Sequence, residues 1–526
     1  LIKDTLGATI SPVKTVAQLL PALPGVHARG EPRRRISGIA YDSRQVQPGQ
    51  LFVALKGLHT DGHLYAAEAV RRGAVALLHS DPLPRCPPEV TCLRVPDSRL
   101  AMSPLAAAFH DHPSRELTVV GVTGTDGKST TVWLIHQLLQ ALGRPAGFLS
   151  TVQFSVDGEV VKNPLRQSTP EAPEIQGLLR RMVQAGRRYA VVEATSHGLS
   201  ARTARLADVR FDAAVCTNVT HEHLEFHGSF EQYRSDKANL FRALSRPGSE
   251  KPDSLLPPGG RFGVVNRNDG QQAFMAAQCR APVVGYALAG GEDAGAELRA
   301  LLLEGDLGGS RFRCRYGGEE VEGRFRLPGA PFLEDLLAAI LTVLRLLDLP
   351  LRELTPLFAG LSGVPGRMLP VRVGQPFQVI VDYAHTPGAF ERLLPLVRRH
   401  TPGRLTAVFG SAGERDLEKR ARQGEIAARY CDLLVLADED PRGEDPLQIL
   451  QQIAAGARAA GGAGEPLLVP DRREAIRLAL GRARPGDTVL LLGKGHEQSI
   501  IYAGGAVPWD EAGAAAEALR ELGYDG

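Results

Sequence analysis

Residues 117–142, LTVVGVTGTDGKSTTVWLIHQLLQAL, constrain the fold more than any other part of the chain. An apolar run ends in glycines, passes through Gly127, Lys128, Ser129, Thr130 and Thr131, and resumes as apolar residues at helical spacing. That order predicts a strand, a glycine-rich turn and a helix, in which backbone N–H groups and the positive helix end meet an anion. Lys128 would face the terminal phosphates of a nucleotide, and Ser129 or Thr130 a divalent cation. The commonest phosphate-loop template is missed by one place. Counting back from Gly127, glycine is expected where Val122 stands, and glycines occur instead at Gly121 and Gly124. Asp126 also sets a negative charge beside the anion site.

A chain of 526 residues exceeds one ordinary core and suggests about three domains. With 43% hydrophobic residues, 23% charged residues and a formal charge of +2, it has no basic field that would draw it to nucleic acid. An acidic ligand must then be met locally. Cys86, Cys92, Cys216, Cys279, Cys314 and Cys431 form no C-x-x-C pair, so reduced buried thiols are expected and neither a zinc site nor a disulfide framework. No leader pattern and no uncharged apolar run of about 18 residues is found, so a cytoplasmic enzyme without a membrane span is expected; a monomer is taken as the separate default.

The organisation is α/β. Residues 1–115 carry ISGIAYDSRQVQPGQLFVALKG and AAEAVRRGAVALL, strand-like runs alternating with helical ones, and end in the Pro-marked FHDHPSRE. Residues 116–363 add the strands of YAVVEATSH, DAAVCTNVT and RFGVVNRND, the rhythm of a mostly parallel sheet. After a Gly/Pro break in LSGVPGRMLP, residues 364–526 hold FQVIVDYAH, RLTAVFGSAG, DLLVLADEDP and DTVLLLGKGHE, whose strand ends predict a second binding surface. No short-period repeat occurs. Residues 247–260 and 285–309 read as loops or insertions.

Glu193 closes one central strand, His223 follows another, and Lys237 lies in the helical YRSDKANLF. A carboxylate and an imidazole leaving strand ends beside a phosphate loop could hold Mg²⁺, which needs few protein ligands when phosphates supply the rest. Taken singly, Glu193 reads as a surface acid and His223 as a satisfied loop histidine. Together GVTGTDGKSTT, EATSHGL, TNVTHEHLEFHGS, YRSDKANLF, VPGRM, DYAHTPGAF and GKGHE resemble the Mur ligases, the ATP-dependent amide-forming enzymes of peptidoglycan precursor synthesis. That family's loop has the form G-x-x-G-x-[ND]-G-K-[ST], so the glycine offset is its own spacing.

The resemblance implies a three-domain architecture with a central P-loop mononucleotide-binding domain and a C-terminal Rossmann-like domain. It implies that ATP phosphorylates a substrate carboxylate and that an amine attacks the acyl phosphate. ATP contacts fall on Gly124, Thr125, Asp126, Gly127, Lys128, Ser129, Thr130, Asn266, Arg367 and Asp382, with Tyr383 approaching on domain closure. Mg²⁺ falls to Ser129 and Glu193, and to Glu193 with His223 and a carbamylated Lys237. DSRQVQPGQLFVALKGLHTDGH resembles a nucleotide-sugar domain, with Ser43 and Arg44 near a pyrophosphate and the 57–60 turn near uracil. Ser168, Thr169, Ser196 and Arg205, with Arg202 as its rival, match muramyl-peptide contacts. Asp440, Arg442, Gly493 and Glu497 match the contacts of an incoming diamino acid, and His385, which would approach ATP on closure, is counted with the substrate contacts. DYAHTPGAFERLL and LLLGKGHEQ favour the members that extend UDP-N-acetylmuramoyl-L-alanyl-D-glutamate by a third residue.

The chain departs from the pattern in four places. Glu439-Asp440-Pro441-Arg442 replaces D-N-P-R; Arg442 can still clamp a carboxylate in bidentate fashion, while the added charge of Asp440 predicts L-lysine or L-ornithine, with meso-diaminopimelate as the alternative. Glu222 and Glu225 stand where aspartates are usual. The family's arginine falls at Arg205 only if two residues are inserted. Phe332 and Asp335 occupy the positions of asparagines that reach adenine. The competing expectations are a folylpolyglutamate synthetase-like ligase, which would lack the amino-terminal domain, and a non-catalytic sugar-nucleotide sensor blocked by Phe332.

Overall fold

A computed structural model describes residues 12–57, 60–83, 88–165, 167–220, 224–246, 250–289, 295–462 and 464–525. They divide into two compact units: Leu1–Leu301 with Arg313–Gly323 and Glu334–Phe358, and Leu302–Phe312 with Arg324–Leu333 and Ala359–Gly526.

The first unit opens with a sheet of β1 (His27–Arg29), β2 (Ile39–Ala40), β3 (Leu51–Val53), β4 (Ala76–His79) and β5 (Thr91–Arg94), in the order β1-β5-β4-β3-β2. Only the β1–β5 pair is antiparallel. β3 and β4 are buried along their whole length, as strands covered on both faces must be. Leu51 and Val53 meet Met102, Leu105 and Phe109 of α1 (Ser98–Phe109) on one face. Phe52 and Leu77 join Ala66 and Ala69 on the other.

A larger sheet follows. β6 (Thr118–Thr123), β7 (Ala146–Leu149), β8 (Gln153–Ser155), β9 (Val160–Lys162), β10 (Tyr189–Glu193), β11 (Ala213–Cys216), β12 (Phe262–Asn266) and β13 (Val283–Leu288) run in the order β9-β8-β7-β10-β6-β11-β12-β13. All pairs from β7 to β13 are parallel, and β8 is antiparallel to both neighbours. β6 therefore lies where successive strands depart to opposite sides, the place at which open α/β sheets bind ligands. Helices α2 (Lys128–Ala141), α3 (Ala172–Gln184), α4 (Ser196–Leu199) and α5 (Phe230–Ala243) connect the strands. Gly121 belongs to the strand and not to the phosphate turn: a Cβ there would lie 2.5 Å from Leu240 of α5 and 2.8 Å from Phe211, so its absence lets α5 close on the sheet.

The stretch 285–309, expected as loops or insertions, contains strand within Val283–Leu288 and at Leu298–Asp306, where buried Leu298 and Ala300 alternate with exposed Arg299 and Leu301. Cys216, Cys279, Cys314 and Cys431 are free, as expected, whereas Cys92 is disulfide-bonded, a pairing that inspection for C-x-x-C spacing does not detect. Among the described residues no helix is long and apolar enough to cross a membrane.

Where the small sheet meets α3, Tyr41 donates to Glu174 at 2.8 Å, and Glu171 takes Arg99 at 2.7 Å and Arg205 at 2.9 Å. Burial pushes the Glu174 carboxyl up to about 7. A carboxyl that holds its proton more tightly in the folded chain contributes stability at low pH, and this is lost as pH rises from the ordinary carboxylate range through 7. Glu174→Gln stays neutral and still accepts from Tyr41. It is expected to melt above the wild type at about pH 8 and level with it at about pH 4; coincident melting curves at the higher pH would refute the assignment.

The second unit contains β14 (Leu369–Pro370), β15 (Gln378–Asp382), β16 (Leu405–Phe409), β17 (Leu433–Leu436), β18 (Leu467–Leu468) and β19 (Thr488–Leu492), in the order β14-β15-β19-β16-β17-β18. Only β14–β15 is antiparallel. The loops after β15, β17 and β19 carry Asp382–His385, Asp438–Arg442 and Gly493–Glu497.

Candidate active site

β6 delivers the chain into a turn at Gly124–Gly127 and α2 begins at Lys128. Gly124 (φ +150°) and Gly127 (φ +79°) hold backbone geometry that L side chains rarely adopt, and Gly127 caps α2. The turn is held from β11: Thr125 N donates to Asn218 O at 2.8 Å, Asp126 N to Asn218 Oδ1 at 3.0 Å, and Thr217 Oγ1 to Asp126 O at 2.6 Å. Asp126 is thus held by its backbone. Lys128 Nζ folds back onto the Thr125 carbonyl at 2.7 Å, and Thr130 is buried in the first turn of α2.

Ser129 and Glu193 are brought together. Glu193, 2% exposed, accepts from Ser129 Oγ at 2.8 Å, Thr151 N at 2.9 Å and Thr151 Oγ1 at 2.8 Å. Thr151 was not anticipated; it simply follows a strand. Buried Lys237 Nζ donates to Gly124 O at 2.5 Å and lies 4.4 Å from the Tyr233 ring centroid, while Tyr233 OH is 3.0 Å from Thr125 Oγ1. His223 and Glu222 lie outside the described residues, as do the Glu225 side chain and residues 58 and 59 of the uracil-side turn.

Asn266, at the end of β12, hydrogen-bonds Glu334 of the helix Gly329–Leu347, whose carboxyl burial pushes up. Asp335 stands against the phosphate turn, because a Cβ on Gly127 would come 2.0 Å from its Oδ1. Asp335, which departs from the asparagine expected there, therefore borders the turn itself, and the neighbouring Glu334, which sequence reasoning missed, engages Asn266.

Ser43 is buried in a short turn capped by Asp42, and exposed Arg44 pairs with Asp42 at 2.8 Å. Ser168 is half-buried. Thr169 Oγ1 lies 2.8 Å from Thr195 Oγ1, and Arg205 donates to Thr169 O at 2.9 Å besides pairing with Glu171; Arg202 donates instead to Phe226 O. Ser196, first residue of α4, has Oγ 3.0 Å from His227 Nε2, and His227 Nδ1 is 2.8 Å from Asp236 Oδ2. Neither His227 nor Asp236 was singled out from sequence.

In the second unit both oxygens of Asp382 are taken by backbone N–H groups, of Met368 at 2.8 Å and Ala384 at 2.7 Å; burial raises its pKa and Arg367 opposes the rise. Arg367 lies 4.9 Å from the Tyr383 ring centroid, and His385 Nδ1 is 2.9 Å from Tyr383 O. Asp440 does not offer a free charge, as the sequence had suggested. Its Oδ1 accepts from Lys494 Nζ at 2.9 Å and Ile501 N at 2.9 Å, and Lys494 also meets Glu497 at 2.5 Å. Lys494 stood in GKGHE unremarked, and a loop read alone cannot reveal a partner from another loop. Arg442 (φ +54°) donates its N–H to Ile501 O. Glu439 is buried with Oε2 lacking a hydrogen-bond partner, and that oxygen would be 2.8 Å from a Cβ on Gly493. Burial pushes Glu439 up, and Asp438 up to about 6.

Comparison with known proteins fits this geometry. Family models match over residues 35–110 (Mur ligase family, catalytic domain), 122–343 (Mur ligase middle domain) and 366–495 (Mur ligase, glutamate ligase domain). The chain is 52% identical over 495 residues to a UDP-N-acetylmuramyl-tripeptide synthetase of Roseiflexus sp. (strain RS-1), covering 93% of this chain and 96% of that one. It is 34% identical to a UDP-N-acetylmuramoyl-L-alanyl-D-glutamate--2,6-diaminopimelate ligase of Caldanaerobacter subterraneus subsp. tengcongensis, covering 96% and 99%. A solved structure of a ligase with the latter name superposes with a TM-score of 0.64 at 26% identity, covering 97% and 99%. From residue 35 to residue 495 the matches follow one another in order, and the chain belongs to the Mur ligase family.

Proposed function

We propose that this ligase uses ATP to join a diamino acid to UDP-N-acetylmuramoyl-L-alanyl-D-glutamate, with domains at 1–115, 116–363 and 364–526. The observation that carries the reading is the 2.8 Å pairing of Ser129 with Glu193 immediately beyond a turn that presents Lys128. A carboxylate is a poor electrophile, and its reaction with ATP brings two anions together. Lys128 would leave the Thr125 carbonyl for the terminal phosphates, and the N–H groups at the start of α2 would take the charge passing to ADP. A hydroxyl and a carboxylate side by side are hard oxygen donors that suit Mg²⁺, which when bound would offset phosphate charge. Lys237 would join that shell as a carbamate, together with His223. Ser43, Arg44, Ser168, Thr169, Ser196 and Arg205 would hold the nucleotide-sugar peptide, Arg205 through the Thr169 carbonyl. Phosphate release that depends on both the muramyl dipeptide and a diamino acid tests the reading, which fails if release is independent of the amino acid.

For the amine, we propose a basic diamino acid, L-lysine or L-ornithine. Support comes from Glu439, a buried carboxylate with an unpartnered oxygen facing Gly493, next to Asp440, whose charge Lys494 already answers. An ammonium suits that oxygen, whereas the extra carboxylate of meso-diaminopimelate would repel it. Arg442 would take the α-carboxylate. Lysine or ornithine is expected to be used at least about tenfold faster than meso-diaminopimelate at equal, subsaturating concentration, and Glu439→Gln is expected to erase the preference. A preference for meso-diaminopimelate by the wild type would sink this assignment.

A further inference from the structure

We propose that Asp236 and His227 fix the hydrogen-bonding polarity of Ser196, so that its hydroxyl meets the substrate as an acceptor. The proposal rests on the reading above that Ser196 borders the muramyl peptide. Ser196 lies three residues beyond Glu193, whose carboxylate reaches the phosphate turn through Ser129.

All three side chains are buried, at 2% exposure for Ser196 and 3% for His227 and Asp236. One Asp236 oxygen accepts from Gln232 Nε2 at 3.0 Å, and the other lies 2.8 Å from His227 Nδ1. A carboxylate only accepts, so Nδ1 carries the imidazole proton and Nε2 is bare in the neutral ring. At 3.0 Å the bare Nε2 must then accept the Ser196 hydroxyl proton. Phe226, His197 and Tyr233 surround the imidazole at 4.7, 5.3 and 5.2 Å between ring centroids and hold its plane. With its single proton directed inward, Ser196 has only lone pairs for a ligand. The partner it fits is an N–H group, such as a peptide amide of the muramyl dipeptide. Asp236 and His227 are thus positioning residues acting through Ser196.

Histidine-selective ¹⁵N labelling tests this without turnover, with His227→Gln assigning the signal. The ring is expected to be protonated at Nδ1; protonation at Nε2 in the wild type overturns the proposal. In Asp236→Asn, Gln232 still donates to the side-chain oxygen, so the new NH₂ faces His227 and the proton moves to Nε2. KM for the UDP-muramyl dipeptide is expected to rise about tenfold in both Asp236→Asn and Ser196→Ala, with kcat changing less and melting temperatures retained. The double variant is expected to be no worse than either single one, and Asp236→Glu to recover the wild-type KM. Multiplying effects in the double variant would mean that the residues act independently and would overturn the proposal. A wild-type protein that fails to turn over the dipeptide would instead overturn the functional reading, while the ring proton still decides the polarity of Ser196.

Discussion

Replacing Lys128 with alanine is expected to lower amino-acid-dependent phosphate release by about 10³-fold while leaving the melting temperature unchanged. Among the described residues its ammonium hydrogen-bonds the Thr125 carbonyl, a part-buried contact that water can replace. The fold therefore loses little. In the reaction the same ammonium would face charge that grows as the phosphoryl group leaves ADP, and no other cationic side chain begins α2. A preorganised cation acts there without solvent reorganisation, which is why its removal weighs on the rate and not on stability. A discontinuous phosphate assay with both substrates measures the effect, and a loss below about tenfold would show that Lys128 does not face the transferring group.

Glu193→Gln is expected to slow the reaction about 10²-fold and to raise the Mg²⁺ concentration for half-maximal rate. The amide retains an oxygen for Thr151 N and Ser129, and the Thr151 hydroxyl can rotate to accept from the new NH₂, so the loop keeps its shape. What disappears is one negative charge in a buried site. Mg²⁺ titrations at saturating ATP separate this from a packing defect: a cation ligand is partly compensated by more cation, a misfolded loop is not. An unchanged Mg²⁺ dependence would remove Glu193 from the proposed metal shell.

The phosphate turn was legible in the sequence because strand, glycines, Lys128 and helix are consecutive, and local geometry follows from local order. Even there Gly121 misled, since the space it provides is for Leu240 and Phe211, which arrive from distant parts of the chain. The pairing of Glu193 with Ser129 was also accessible, because parallel neighbours in one sheet end at the same level. Failures cluster where a side chain's role is decided by a partner on another loop. Asp440 looked like a free charge until Lys494 and Ile501 N met it; Asp335 stood only as a mismatch to the family's asparagine, and its place beside Gly127 was not foreseen; the Asp236–His227–Ser196 chain joins two segments that carry no common spacing. Composition and periodicity report which face is apolar, and they are silent on which polar atoms cross between elements.

The fit of Asp335 against Gly127 has a consequence for how such a chain can change over generations. With φ +79°, position 127 already requires a backbone conformation that L side chains rarely adopt, and a Cβ there would also meet the Asp335 carboxylate. Two separate requirements therefore fall on one residue, and a shorter side chain at 335 relieves only the second. Libraries that randomise both positions are expected to recover glycine at 127 while residue 335 varies.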